Sequence, residues 1–147
     1  MDVPADILTK MERYCAYQDR CLADVRKKLG VFAVSVAQAD EIIRLLTANH
    51  FLDEKRYVES FIRSKMRANQ WGKLKISQAL WAKGIDSKIV AQHLAEIEDT
   101  DYMTMMQQTA DKWRRMHKTQ EQSEQKLMQY LLSKGYKMEE IFKLKKI

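Results

Sequence analysis

Seven basic side chains, Lys55, Arg56, Arg63, Lys65, Arg67, Lys73 and Lys75, fall within 21 residues, and Asp53, Glu54 and Glu59 are the only acids from position 53 to 75. Trp71 lies between Arg67 and Lys73. Bases flanking an aromatic ring can meet phosphates while the ring stacks on a nucleobase, or can dock on an acidic protein surface. The plainer alternative is that Trp71 anchors a helix junction and the bases are a solvated face. The run Lys143-Leu144-Lys145-Lys146-Ile147 makes a second basic end, which equally suits a helix C-terminus, where cations complement the macrodipole.

Catalytic and metal chemistry has less footing. The acid pairs Asp53-Glu54, Glu139-Glu140 and Asp40-Glu41 sit at expected helix starts, where the dipole accounts for them. Neighbours on a helix point about 100° apart, whereas general acid–base catalysis needs two groups converging on one site. HExxH, GxSxG and CxxC are absent, and the nearest two glycines, Gly72 and Gly84, are 12 residues apart, so no phosphate loop is expected. His50, His93 and His117 are scattered and read as ordinary histidines. Cys15 and Cys21 read as reduced thiols on different sides of a continuous helix. Met105, Met106, Trp113 and Met116 follow one helical stripe and read as core. The expectation is a protein that is not an enzyme and needs no metal or cofactor.

The elements behind these residues are helices. Glycine and proline together make 5 of 147 residues, against a usual share of about 12%, which leaves little for the turns of a sheet. Apolar residues recur at helical spacing in Ala39-Ile42-Ile43-Leu46-His50, in Tyr57-Val58-Phe61-Ile62-Met66 and in Tyr102-Met105-Met106-Thr109-Ala110-Trp113-Met116. Ser35-x-x-Gln38 and Thr119-x-x-Gln122 are capping boxes, and Asp53, Asp86 and Asp99 are candidate N-caps. Leu29-Gly30-Val31, Lys83-Gly84-Ile85 and Lys134-Gly135-Tyr136 each read as a left-handed glycine cap followed by an apolar residue that folds back.

Those three glycines lie 54 and 51 residues apart, which implies an internal repeat. The expected helices are 4–16, 19–29 and 35–50; 53–69, 73–83 and 86–97; and 99–117, 119–134 and 138–146. The fold class is therefore all-α, with three-helix repeats at 1–52, 53–98 and 99–147. Units this small are marginal alone and should stack into an elongated, curved array. The repeats carry net charges of 0, +3 and +3, so the excess of +6 lies wholly in the second and third. Mean hydropathy is −0.51 and no apolar run approaches the roughly 20 residues of a membrane span. With no secretory signal at the start, the expected location is cytoplasmic.

Leu52-Asp53-Glu54-Lys55-Arg56-Tyr57-Val58, followed by Phe61-Ile62, Gly72, Lys75-Ile76, Leu80 and Lys83-Gly84-Ile85, resembles the central motif of the RecX family. Tyr130-Leu131-Leu132-Ser133-Lys134-Gly135-Tyr136 is similar to that family's last-repeat signature, and Asp24-Val25-Arg26-Lys27-Lys28-Leu29 looks like its first-repeat segment. The sequence departs from the pattern at Asp24-Val25, where Glu-Leu is usual, and at Trp71-Gly72-Lys73, which lacks a frequent proline. The resemblance implies three tandem three-helix repeats and a regulator of the RecA recombinase in homologous recombination and DNA repair. Such a protein binds the groove of the RecA–single-stranded DNA filament and inhibits strand exchange and ATP hydrolysis.

The expected partner is then the RecA filament, with single-stranded DNA open to direct contact, no membrane, and a monomeric protein. The expected binding face comprises Arg56, Arg63, Lys65, Arg67, Lys73, Lys75 and Lys83, with Lys134 from the third repeat. Arg56 could instead pair with Asp53. The competing function is a helical protein that binds DNA directly, independent of any recombinase.

Overall fold

The computed structural model describes residues 2–118, 121 and 123–145. Nine helices account for the fold among these residues: α1 (Ala5–Tyr17), α2 (Leu22–Leu29), α3 (Val36–Ala48), α4 (Glu54–Asn69), α5 (Lys73–Ala82), α6 (Ser87–Ala95), α7 (Asp99–Met116), α8 (Ser123–Ser133) and α9 (Met138–Ile141). No strand occurs among the described residues. None of the helices is long and apolar enough to cross a membrane. The chain packs into two compact units, Met1–Ser60 and Phe61–Ile147, with the boundary inside α4.

In the first unit α1, α2 and α3 pack pairwise. Each turns a stripe inward at i, i+4 spacing: Met11 and Cys15, Val25 and Leu29, Ile42 and Leu46, all buried in one cluster with Leu52. Ser35 and Gln38 form the expected capping box on α3. Asp53 accepts the Arg56 backbone N–H at 3.1 Å and so caps α4.

The second unit is built on α7, whose Tyr102, Met106, Thr109, Ala110 and Trp113 face inward. Leu127 and Leu131 of α8, Tyr136 and Ile141 close this core. Nearby, α5 packs on α6 and buries Ile76, Leu80, Ile85, Val90 and Leu94. Asp86 caps α6 through a 2.7 Å bond from the Lys88 N–H. Gly84 and Gly135 have φ of +79° and +99°, the left-handed caps the sequence anticipates, and Ile85 and Tyr136 fold back into the core behind them.

Several local expectations are corrected. Gly30 is right-handed, at φ −63°. The chain runs on through Val31 N–H to Lys28 O and Phe32 N–H to Leu29 O. Phe32 therefore packs on the core in place of Val31, which is 72% exposed. Helix α3 stops before His50, which takes φ +63° so that the Phe51 and Leu52 N–H groups return to Leu46 O. Helix α2 starts at Leu22, with Cys21 at its N-cap, so Cys15 and Cys21 lie on different elements, both buried and neither in a disulfide.

At α7, Glu98 precedes the helix without a side-chain cap, and Asp99 is its first residue. Asp40 and Glu41 are mid-helix, paired with Arg26 and Arg44. Met116, at the last residue of α7, is 70% exposed and not part of the core. The Thr119–Gln122 capping box and the end of the basic C-terminal run fall outside the described residues.

Candidate partner-binding face

The second half of α4 ends in a tight reversal. Gln70 takes φ +54°, the Trp71 N–H returns to Lys65 O at 3.1 Å, and Gly72 begins α5. This reversal brings Trp71 between two ammonium groups. Lys65 Nζ stands 4.8 Å and Lys75 Nζ 4.7 Å from its ring centroid, and Phe61 meets it edge-on at 6.4 Å. Trp71 is half-buried, so it both anchors the turn and offers ring surface beside cations. Lys73 Nζ lies 4.7 Å from the Tyr102 centroid, and Lys134 Nζ 5.5 Å from that of Tyr130.

A helix-to-helix junction sets this geometry. The first N–H groups of a helix have no partner within it, nor do the last C=O groups. Here the start of α5 meets the end of α8. Gly72 N–H donates to Lys134 O at 2.7 Å, Leu74 N–H to Gly135 O at 3.1 Å, and Lys73 N–H to the Tyr102 hydroxyl at 2.9 Å. A Cβ on Gly72 would sit 2.5 Å from the Gly135 carbonyl, and one on Gly135 would sit 2.6 Å from the Lys75 nitrogen. Only two glycines let the backbones approach this closely. Tyr136 donates to Gln70 O at 2.8 Å and ties the reversal to the same junction.

Two of the lysines are already joined to helix ends. Lys134 Nζ donates to Asn69 O, the last residue of α4, at 2.9 Å, and Lys75 Nζ to Ser133 O, the last of α8, at 3.3 Å. Both complement a negative helix terminus. An ammonium has three donors, so each keeps capacity for an outside acceptor while held in place. Burial pushes the Tyr102 and Tyr136 hydroxyls well above the ordinary phenol range, and both remain neutral donors or acceptors here.

Of the expected face, Lys65, Lys73, Lys75 and Lys134 converge around Trp71 and this junction. Arg63 and Arg67 are exposed on α4. Lys83 lies at the far end of α5, where its N–H caps that helix. Arg56 belongs to the first unit. Its Nε donates to Asp19 at 2.7 Å, and its two Nη groups reach His50 O and Phe51 O at 3.1 and 3.2 Å. The ion pair is thus with Asp19, because Asp53 is already engaged as the α4 cap. Sequence reasoning missed Phe61, Tyr102 and the pairing of Gly72 with Gly135. A glycine between Trp71 and Lys73 was the one visible sign.

Residues 53–94 match the model of the second three-helix domain of RecX, and residues 99–144 that of the third. A Regulatory protein RecX of Lactococcus lactis is 33% identical over 128 residues, covering 84% of this chain and 47% of its own length. One of Clostridium acetobutylicum is 31% identical over 124 residues, covering 80% of this chain and 57% of its own. The chain spans about half the length of the curated relatives it matches. The crystal structure of RecX from Lactobacillus salivarius superposes with a TM-score of 0.80 at 27% identity, over 95% of this chain and 94% of that one. A second crystal structure, of a regulatory protein RecX, gives 0.83 at 25% identity, over 94% and 70%. With two successive RecX domains matched in order, and an all-helical fold shared along almost its whole length, the chain belongs to the RecX family.

Proposed function

We propose that this chain is a non-catalytic regulator of the RecA recombinase, which binds the RecA–single-stranded DNA filament and restrains its strand exchange and ATP hydrolysis. The observation that carries this reading is the cluster of Lys65, Lys73 and Lys75 about Trp71 and its junction, with Lys134 at the same place. A nucleoprotein filament repeats an acidic groove, and a fixed group of cations suits it by charge and steers association. Arg63 and Arg67 extend the positive surface, Lys83 is an outlying contact, and Arg56 supports the first unit more than the interface. The working division remains three repeats, 1–52, 53–98 and 99–147, acting as a monomer in the cytoplasm.

The test is a titration of this protein into cognate recombinase hydrolysing ATP on single-stranded DNA, with binding to naked DNA measured alongside. Hydrolysis is expected to fall as the protein is added. Unchanged hydrolysis at saturation, together with tight binding to naked DNA, would replace this reading with recombinase-independent DNA binding.

A further inference from the structure

The second unit also carries an open groove of about 780 Å³ between α4, α7 and α8. Its size falls in the range of about 300–1,000 Å³ typical of ligand pockets, enough for a few large side chains. The floor is thioether and aromatic: Met66, Met105 and Met116, with Trp113 and Tyr130. Its charged lining is basic, with Arg67 and Lys112 and no carboxylate among the lining residues. On α4, Met66, Arg67 and Gln70 face the groove while Lys65 turns to Trp71, and the groove adjoins the lysine cluster at Tyr130, over whose ring Lys134 stands.

We propose that this groove is a docking site for an acidic amphipathic helix of a partner protein, one that presents apolar side chains on one face and carboxylates beside them. Methionine surfaces adapt to varied apolar side chains. A helix laid in such a groove is anchored at i, i+3 or i+4, and i+7. Arg67 and Lys112 select for acids at its flanks and speed the encounter. A nucleic acid suits the groove poorly. Trp113 is almost wholly buried, and His117 stacks on it at 4.1 Å and 13°, held by a 2.7 Å contact of Nδ1 with Trp113 O. Its stacking face is therefore taken.

The probe is a synthetic helical peptide with leucine and phenylalanine on one face and glutamate on the rest, titrated into the full chain labelled at the methionine methyl groups. Controls are a scrambled peptide of the same composition and a poly-dT oligonucleotide. The signals of Met66, Met105 and Met116 are expected to shift with the peptide alone, with micromolar affinity. Met116→Glu combined with Lys112→Glu is expected to weaken binding by about tenfold or more. Both positions are exposed, and an unchanged melting curve shows that the variant folds. Methyl signals that do not move with the peptide, that move equally with the scrambled peptide, or that move with poly-dT would overturn the proposal. So would undiminished affinity in the folded double variant. Self-association abolished by Met116→Glu would give the groove to a second copy and overturn it too. None of these outcomes depends on the recombinase assay.

Discussion

Arg56 holds three acceptors that come from two loops. Asp19 lies between α1 and α2, and the carbonyls of His50 and Phe51 lie in the turn after α3. Its bonds hold the left-handed turn at His50 closed. The Arg56 side chain is 42% exposed and Asp19 29%, so solvent screens the pair and Asp19→Ala should cost about 1 kcal/mol. Arg56→Lys keeps the charge but not the planar fork that spans three acceptors, and a lower melting temperature for it is the expected result. A pair 37 residues apart leaves no local trace, so the sequence offers only the nearby Asp53 as a partner. Lys73 and Lys75 stand out in the sequence, because two bases flanking Leu74 beside a tryptophan and a glycine form a compact signal. Changing both to Glu should weaken filament binding and flatten its dependence on salt. An unaltered affinity and slope would remove them from the face.

Among elements, the glycines separate helix ends that look alike in the sequence. Each of Gly30, Gly84 and Gly135 precedes an apolar residue, yet only the last two are left-handed. At Gly30 the decision rests on whether Val31 or Phe32 finds the core, and that depends on packing the local pattern does not encode. A series of alanine substitutions read by thermal or denaturant unfolding tests the distinction. Gly30→Ala should stay within about 0.5 kcal/mol of the parent. Gly84→Ala, left-handed but in open space, should lose roughly 1–2 kcal/mol. Gly72→Ala and Gly135→Ala meet backbone atoms at 2.5–2.6 Å and should lose more than either. The helices themselves were legible from period and caps. The junction of α5 with α8 was not, since it is a contact through space between segments 63 residues apart.

For the whole molecule, charge follows the compact units more sharply than it follows the repeats. Residues 1–60 hold 9 basic and 10 acidic side chains, and residues 61–147 hold 17 and 10, so the units carry −1 and +7. Replacing Lys27 and Lys28 of the first unit with Glu should therefore leave the salt slope of filament binding unchanged, unlike the Lys73 and Lys75 pair. Alkali gives a second global test. Burial raises the phenol pKa of Tyr57, Tyr102 and Tyr136 in the folded protein. Their contribution to stability is complete below the unfolded value of about 10. Above it the unfolded chain releases protons that the folded chain retains, so stability falls as pH rises. Melting temperature should drop steadily above about pH 10, and these three of the six tyrosines should ionise only with unfolding.

The hydrogen bonds between Gly72, Leu74 and the end of α8 also set an order of events during synthesis. At about 5–20 residues per second, the 63 residues from Gly72 to Gly135 take about 3–13 s to emerge. Throughout that interval the Gly72 and Leu74 N–H groups lack their acceptors on α8, and Lys75 and Lys134 cannot reach their helix ends. The domains matched at 53–94 and 99–144 are successive in sequence but complete one another's backbone bonding. The nascent chain therefore closes this junction late, when the end of α8 emerges and accepts the first N–H groups of α5.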